Sequence, residues 1–306
     1  MEISRVTLIG AGAVGCVVAE PLSKYLGKEN VEILASGERL SRYKKDGLFL
    51  NGNLLDFNYV EPDEAKKSGL LIIATKNLQL ETALKMAENA VGKDTVILSL
   101  LNGIQSEEEI ARKFGEEKTL YGFVLSLNSI HEKNQINCSN PGAVYFGEKD
   151  NSKSERVSAL SQLFKNSGIK AINPADIHLE QWKKYLINVV FNTLSALTRS
   201  PYGGFRLEVL QNLVRKAGRE VVKVAKAENV PLKTEMLEDD IRLMCSHDIK
   251  GKTSMLQDME AGRKSENDFF TGTIIRLAQK HGIEVPTCTI LYELVKATEE
   301  AREIVN

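Results

Sequence analysis

The sequence has few cysteines, no excess of either charge and no long apolar run, and each absence excludes a class of protein. No C-x-x-C pair occurs, and no histidine is placed to complete a zinc site. Lys and Arg number 40 against 41 Asp and Glu, so the positive excess typical of nucleic-acid and membrane-surface proteins is missing. We therefore expect reduced thiols, no metal site, and no nucleic-acid or membrane partner. The cysteines are Cys16, Cys138, Cys245 and Cys288.

The longest near-continuous apolar stretch, from Tyr185 to Thr198, is interrupted by Asn188 and Asn192. It is shorter than the roughly 20 residues that a bilayer-spanning helix requires. Met1 leads within a few residues into a strand-like run, which leaves no room for a signal peptide. We expect a cytoplasmic globular protein of 306 residues with one large domain or two moderate ones.

Short apolar runs alternate with helix-periodic segments in the first half of the chain, as in βαβ units. After Asn173-Pro174 the strand candidates stop and nearly every segment has helical periodicity. The pattern predicts an α/β doubly wound sheet over residues 1–173 and an all-α C-terminal domain over residues 174–306. The strand candidates are residues 6–9, 31–34, 70–74, 95–100 and 169–172, and the helix candidates between them include residues 78–91 and 155–167.

A glycine-rich loop follows the first predicted strand directly and opens a helix. In this setting the first glycine permits a tight turn, the second lets the backbone approach a pyrophosphate, and the third lets the helix pack on the strand. Free N–H groups at the helix N-terminus favour the anionic phosphates. We predict dinucleotide binding here, and a bend or an early end of the helix at Pro21. The loop residues are Gly10, Ala11, Gly12, Ala13, Val14 and Gly15.

The type of dinucleotide depends on the end of the second strand, where NAD-binding folds place an acidic residue. No carboxylate stands at that tip, whereas Ser36, Arg39 and Arg42 carry hydroxyl and guanidinium donors for a 2′-phosphate. Glu38 offers the alternative, a carboxylate turned toward the ribose of NAD. We expect NADPH, with NADH kept as the second choice and Arg42 interpreted as a solvated residue of the next helix.

Lys184, Asn188 and Asn192 are spaced four apart in an otherwise apolar helical segment. At about 100° per residue they form one slowly drifting polar stripe. An unpartnered ammonium or amide is costly to bury, so the stripe should face water or a polar ligand. The competing interpretation is structural: the two asparagines bond backbone carbonyls and Lys184 reaches solvent.

Ser254 and Glu266 form a second polar candidate pair later in the chain. Their spacing suits two neighbouring helices or the two ends of one. By spacing alone, Ser254 is expected to be a helix N-cap and Glu266 a surface carboxylate.

Taken together, the ordered motifs resemble those of the ketopantoate reductase (2-dehydropantoate 2-reductase) family. The resemblance runs from residue 8 to about residue 295. Its motifs are the glycine loop, Lys76 after Ile72-Ile73-Ala74-Thr75, Leu101-Asn102-Gly103, Trp182-Lys183-Lys184 with Asn188 and Asn192, Ser254-Met255-Leu256-Gln257-Asp258 with Glu266, and His281-Gly282-Ile283-Glu284-Val285-Pro286.

The resemblance implies a Rossmann domain joined to a helical domain like the C-terminal domain of 6-phosphogluconate dehydrogenase. It also implies reduction of ketopantoate by NADPH to pantoate, a precursor of pantothenate and coenzyme A. Lys184 would then be the general acid, Asn188 and Asn192 would hold substrate oxygens, and Ser254 would bond the carboxylate.

The same resemblance places Glu266 at the nicotinamide end of the cofactor or at the substrate. Lys76 and Asn102 would contribute from the first domain, Lys76 to cofactor binding and Asn102 to both cofactor and substrate. The expected partner is thus a small 2-keto acid, while a monomer and a homodimer both stay open.

Two positions depart from the family pattern. Ser36 stands where arginine is frequent, and Tyr202 aligns with a further substrate-binding asparagine. A different 2-keto acid reductase or an opine-type dehydrogenase therefore remains an alternative activity. A non-catalytic dinucleotide sensor is a third interpretation, although such a protein need not maintain Lys184 and Glu266.

Overall fold

The computed structural model describes residues 2–305, and the chain divides into two compact units, Met1–His178 and Leu179–Asn306. The division lies a few residues beyond Pro174, where the sequence pattern changes. The strands are β1 (Val6–Ile9), β2 (Val31–Leu34), β3 (Phe49–Leu50), β4 (Asn53–Leu54), β5 (Asn58–Val60), β6 (Ser68–Ile73), β7 (Val91–Ser99), β8 (Thr119–Leu125), β9 (Asn128–Glu132), β10 (Gln135–Asn140), β11 (Ala143–Gly147) and β12 (Ala171–Ile172). The helices are α1 (Ala13–Leu26), α2 (Gly37–Asp46), α3 (Leu80–Met86), α4 (Ser106–Phe114), α5 (Glu155–Asn166), α6 (Ile177–Ile187), α7 (Thr193–Thr198), α8 (Glu208–Ala227), α9 (Met236–Ser246), α10 (Ser254–Glu260), α11 (Thr271–Lys280) and α12 (Pro286–Val305).

The main sheet of the first unit has eight strands in the order β12-β11-β8-β7-β6-β1-β2-β5. From β5 to β8 all neighbours pair in parallel, β11 pairs antiparallel with β8, and β12 pairs in parallel with β11. The order reverses direction between β1 and β6, which is the topological switch point of a doubly wound sheet. The predicted Rossmann-type architecture is confirmed.

Strand β6 shows why the sequence signal was a continuous apolar run. Leu70 and Ile72 pack into one core with α1 and α5, while Leu71 and Ile73 pack into another with α3 and α4. Because successive side chains point to opposite faces, a strand covered on both faces needs an apolar residue at every position. The strand therefore lies at the centre of the layered core.

A second sheet of four short strands, in the order β4-β3-β10-β9, was not predicted. Strands β3 and β4 have only two residues each, and β9 and β10 are mostly polar, so all four lack the apolar periodicity on which strand prediction relies. The Asn51 side chain pairs with both backbone groups of Cys138, donating to its carbonyl at 3.0 Å and accepting from its N–H at 2.7 Å. The Asn51 side chain thus makes, next to β3, the two hydrogen bonds to β10 that a further strand residue would make through its backbone.

Two helices differ in length from their predicted extent. Helix α1 does not end at Pro21 but continues to Leu26. Val18, Ala19 and Leu22 on either side of the proline are buried, and their packing offsets the one backbone hydrogen bond that proline cannot make. Helix α3 is shorter than the predicted residues 78–91, because a 3₁₀ turn precedes it and β7 already begins at Val91.

The second unit is helical, and no strand occurs among its described residues, so the expected all-α domain is confirmed. Its core contains Val189, Phe191, Val214 and Val221, which are fully buried. The Tyr185 hydroxyl donates to the Phe270 carbonyl at 2.7 Å. Across residues 2–305, none of the helices combines the length and apolarity needed to span a bilayer.

Candidate active site

The glycine loop is shaped by two close backbone approaches. Gly10 has φ 102°, and a Cβ atom there would lie 2.6 Å from the Ala74 carbonyl carbon at the end of β6. A Cβ atom on Gly15 would lie 2.0 Å from the Gly10 carbonyl oxygen. The turn and the packing of α1 on β1 therefore require glycine at both positions.

Gly12 differs from these two because a Cβ atom there would have no heavy atom within 4 Å. It is the N-cap of α1, it makes no side-chain cap bond, and the first turn of α1 contains no acidic residue. The loop lies at the β1/β6 switch point, where doubly wound sheets bind their ligands. Open space beside free N–H groups suits a pyrophosphate, so the residues present fit a dinucleotide.

Lys76 and Asn102 follow β6 and β7, two neighbouring strands. The buried Asn77 side chain donates to the Asn102 carbonyl at 2.8 Å and joins the two loops. Beside them, the Thr75 hydroxyl is buried and has no hydrogen-bond partner. The sequence analysis did not predict a role for Asn77. Its position directly after the candidate residue Lys76 is the signal that could have indicated one.

Ser36 is the N-cap of α2 at the end of β2, and its side chain makes no cap bond. Ser36, Glu38 and Arg39 are all exposed in the first turn of that helix. The helix N-terminus, the hydroxyl and the guanidinium are each suited to an anion. Arg42 lies with its guanidinium 6.0 Å from the centre of the Tyr43 ring, as expected of a helix-surface residue.

The predicted polar stripe lies on a helix whose geometry changes along it. Lys184 is in α6, and residues Asn188–Asn192 form a π-helical turn before α7 begins. A π turn is wider than an α turn and so rotates less per residue. It therefore offsets the drift that a spacing of four accumulates in a regular α-helix, and keeps both asparagines on the Lys184 side. π turns occur frequently at functional sites.

Three of the predicted residues are brought together in the second unit. The Asn192 amide lies 3.2 Å from the Asn188 side-chain oxygen and 3.4 Å from the Ser254 hydroxyl. Asn188 is 6% exposed, yet its own amide nitrogen has no hydrogen-bond partner. A buried donor without an acceptor costs stability, which is typical of a group that awaits a ligand. The two asparagines bond each other and Ser254 rather than backbone carbonyls.

Ser254 and Glu266 differ from what their spacing alone indicated. The N-cap of α10 is Thr253, whose hydroxyl accepts from the Leu256 N–H, and Ser254 is the first helical residue with an exposed side chain. Glu266 is only 6% exposed and precedes a 3₁₀ turn. The surface-carboxylate interpretation is wrong, since the turn places Glu266 in the interior of the helical unit.

Tyr202 packs against the loop that precedes α10. Its ring meets the His247 ring edge-on at 4.9 Å between centroids, and its N–H donates to the Gly251 carbonyl at 2.8 Å. A Cβ atom on Gly251 would lie 2.8 Å from the tyrosine ring. Burial raises the pKa of the Tyr202 hydroxyl. Tyr202 therefore packs on this loop.

Acid and thiol groups elsewhere do not form a metal centre in residues 2–305, where no cluster of three or more His, Cys, Asp or Glu side chains could hold an ion. The four cysteines are free. Burial raises the pKa of the Cys16 thiol, which lies just behind the glycine loop, to about 12. A thiol of that kind is inert and packs as a small apolar side chain.

Comparison with known proteins covers almost the whole chain. Residues 6–151 match the family described as ketopantoate reductase PanE/ApbA, and residues 176–299 match its C-terminal part. A 2-dehydropantoate 2-reductase from Streptococcus pyogenes is 28% identical over 309 residues, covering 98% of this chain and 99% of the relative. The uncharacterized oxidoreductase YkpB of Bacillus subtilis is 27% identical, covering 93% of this chain and 95% of the relative.

Among solved structures, a complex of D-mandelate dehydrogenase with NADH is similar at a TM-score of 0.87 and 26% identity, covering 97% of this chain and 99% of that one. Both halves of the sequence thus match one family, in the same order as the two units of the structure. The chain belongs to the ketopantoate reductase family of oxidoreductases.

Proposed function

We propose that this protein catalyses the NADPH-dependent reduction of the 2-keto group of ketopantoate to pantoate, in the cytoplasmic route to pantothenate and coenzyme A. The observation that carries the proposal is the unpartnered, buried amide of Asn188, which lies one helical turn beyond Lys184 and bonds Asn192 through its oxygen. A small oxygen-rich substrate supplies the acceptor that this donor lacks. Family membership and the relatives named 2-dehydropantoate 2-reductase support the assignment.

Lys184 serves as the general acid. Its ammonium polarises the keto oxygen and donates a proton to it as negative charge develops, which leaves a neutral amine that solvent reprotonates. The bound reduced nicotinamide supplies the hydride to C2. Neighbouring Lys183 is instead paired with Glu180, with an N–O distance of 2.6 Å.

Asn188 and Asn192 hold the oxygens of the substrate, and Ser254 donates its exposed hydroxyl to the carboxylate. Glu266 contacts the nicotinamide end of the cofactor or the substrate. A carboxylate already buried in the helical unit has lost much of its hydration before any ligand arrives. Orientation by several short polar side chains gives the keto carbon one exposed face for hydride transfer.

Residues 1–173 bind the cofactor and residues 174–306 the substrate. The glycine loop holds the pyrophosphate, Ser36 and Arg39 meet the 2′-phosphate, and Lys76 and Asn102 contribute from the loops after β6 and β7. The NADH bound to the similar D-mandelate dehydrogenase supports a nicotinamide dinucleotide here, and Glu38 keeps NADH as the second choice.

A second candidate function is the reduction of another 2-keto acid. It is favoured by Tyr202, which packs on Gly251 where an amide is frequent in the family, and by the likeness to a D-mandelate dehydrogenase. An assay of reduced-nicotinamide absorbance distinguishes the two. NADPH and NADH are each tested with ketopantoate and a panel of 2-keto acids, with and without amines. Ketopantoate with NADPH should exceed every other pair; a different acid turning over while ketopantoate is inert overturns the substrate assignment.

Lys184→Ala tests the general acid. We expect normal folding, unchanged NADPH binding and a loss of at least about 100-fold in kcat, since proton transfer acts in the transition state. Lys183→Ala is the matched control and should lose less than about threefold, because its ammonium is engaged by Glu180. A loss below about tenfold for Lys184→Ala excludes it as the proton donor.

Arg39→Ala tests the 2′-phosphate site. The KM for NADPH should rise by about ten- to a hundredfold, the worth of one charge-assisted hydrogen bond, while the KM for NADH changes little. Arg42→Ala, one turn further along α2, is the control. Equal changes for both cofactors remove Arg39 from that site.

Sedimentation at assay concentration decides between monomer and homodimer.

A further inference from the structure

Ser195 and Thr253 form a buried hydroxyl pair close to the asparagine cluster. They are 0% and 2% exposed, and the Thr253 hydroxyl donates to Ser195 Oγ at 3.1 Å. The Ser195 hydroxyl in turn donates to the Ser200 carbonyl at 2.6 Å. Thr253 Oγ1 also accepts from the Leu256 N–H at 3.3 Å. Each hydroxyl thus donates one hydrogen bond and accepts one. The pair forms a chain of hydrogen bonds, called here the relay, from the end of α7 to the start of α10.

The hydroxyl pair and the asparagine cluster connect the same two segments, the one that contains Asn192 and Ser195 and the one that contains Thr253 and Ser254. Asn192 and Ser195 lie three positions apart and so share one helix face. Asn192 bonds Ser254, and Ser195 bonds Thr253, the residue before it. Thr253 and Ser254, at the start of α10, are therefore each hydrogen-bonded to the helix face that carries Asn192 and Ser195.

Ser254 needs such support because little else holds it. Its side chain is exposed, and its bond to Asn192 is long at 3.4 Å. Helix α10 has only seven residues, Ser254–Glu260, and a helix of that length depends on its N-cap and on tertiary contacts. The Thr253 cap is itself oriented by Ser195.

We infer that Ser195 and Thr253 are positioning residues, which hold the Ser254 hydroxyl beside Asn192 for binding of the substrate carboxylate. The inference rests on the proposed function, in which Ser254 bonds that carboxylate. Neither Ser195 nor Thr253 touches substrate; their hydroxyls act only through the placement of Ser254.

Steady-state kinetics with NADPH and ketopantoate test the inference. Ser195→Ala and Thr253→Val should each raise the KM for ketopantoate by about tenfold, the effect of misplacing one hydrogen bond, with kcat within about twofold of wild type. Thr253→Ser keeps the hydroxyl and should restore the wild-type KM within about twofold. A KM unchanged in Ser195→Ala overturns the inference, even if Thr253→Val fails to fold.

A double-mutant cycle separates positioning from general destabilisation. Once Ser254→Ala removes the hydroxyl, adding Ser195→Ala should change the KM by less than about twofold, because nothing is left to position. Fully multiplicative effects overturn the inference. Thr198→Ala is the matched control: its hydroxyl bonds the Leu194 carbonyl within α7 at 2.7 Å and does not reach α10, so its KM should equal that of wild type.

Failure of the proposed function is seen separately, in wild-type protein that turns over no ketopantoate. In that event crystal structures of wild type and Ser195→Ala decide the inference. A Ser254 Oγ to Asn192 Nδ2 distance that lengthens beyond hydrogen-bond range in the variant supports the positioning role, and an unchanged distance overturns it.

Discussion

Replacement of Asn188 by leucine separates a functional role of the polar stripe from a structural one. Leucine has the same branching at Cγ but neither donor nor acceptor. In the free protein the Asn188 amide nitrogen is buried without a partner, and its oxygen accepts one bond from Asn192 at 3.2 Å. The change therefore removes an unsatisfied donor together with a single neutral hydrogen bond.

The two contributions have opposite signs. Relief of the buried donor stabilises by about 1–3 kcal/mol, and loss of the bond from Asn192 costs about 0.5–1.5 kcal/mol. Asn192 keeps Ser254 as an acceptor, so no new unsatisfied group results. The net change in the free energy of unfolding therefore lies between about 0.5 kcal/mol against Asn188→Leu and about 2.5 kcal/mol in its favour. At roughly 2–4 °C per kcal/mol, Tm should change little or rise by several degrees.

Thermal unfolding without ligand, followed by circular dichroism, measures this change. Steady-state kinetics should show a KM for the keto acid raised by at least about tenfold, since the substrate loses its donor. Asn192→Leu is the matched comparison: it leaves the Asn188 oxygen without a donor and should lower stability by about 1–3 kcal/mol. A Tm that falls in Asn188→Leu as far as in Asn192→Leu, with little change in KM, would refute the reasoning and make the stripe structural.

Three further predictions concern other parts of the chain. Gly12→Ala should leave Tm unchanged but weaken NADPH binding by about tenfold or more, whereas Gly15→Ala should reduce the yield of folded protein, because only Gly12 has open space for a Cβ atom; equal Tm values for the two variants contradict this. Burial raises the pKa of the Asp240 carboxyl from 3.8 to about 6, so the folded protein keeps a proton that the unfolded chain releases. Stability should therefore fall as pH rises from about 4 to about 6, and Asp240→Asn, compared with wild type by Tm at pH 5 and pH 7, should gain most at pH 7. Asn77→Leu breaks the bond to the Asn102 carbonyl and should raise the KM for NADPH by about five- to tenfold with kcat nearly unchanged, and an unchanged KM removes Asn77 from cofactor positioning.

The helical unit shows the limits of single-residue spacing. The interval of four predicted that Asn188 and Asn192 share a side of the helix, and their 3.2 Å contact confirms it. The π turn between them had no signature in the sequence. The spacing of Ser254 and Glu266 wrongly indicated a surface position for Glu266, because burial depends on which elements cover a residue and a sequence separation carries no information about that.

The sequence alone determined the glycine loop, the parallel strands β1, β2, β6 and β7, and the change from alternating to helical periodicity after Pro174. These features depend on neighbours within a few residues: a tight turn needs glycine locally, and a strand buried on both faces needs continuous apolar residues. Only the tertiary structure decided which polar groups meet. Asn192 and Ser254 are 62 positions apart, and Thr253 finds Ser195 at a separation of 58. Such hydrogen bonds are set by how helices pack, since burial forces each polar group to take a partner within reach, however distant along the chain.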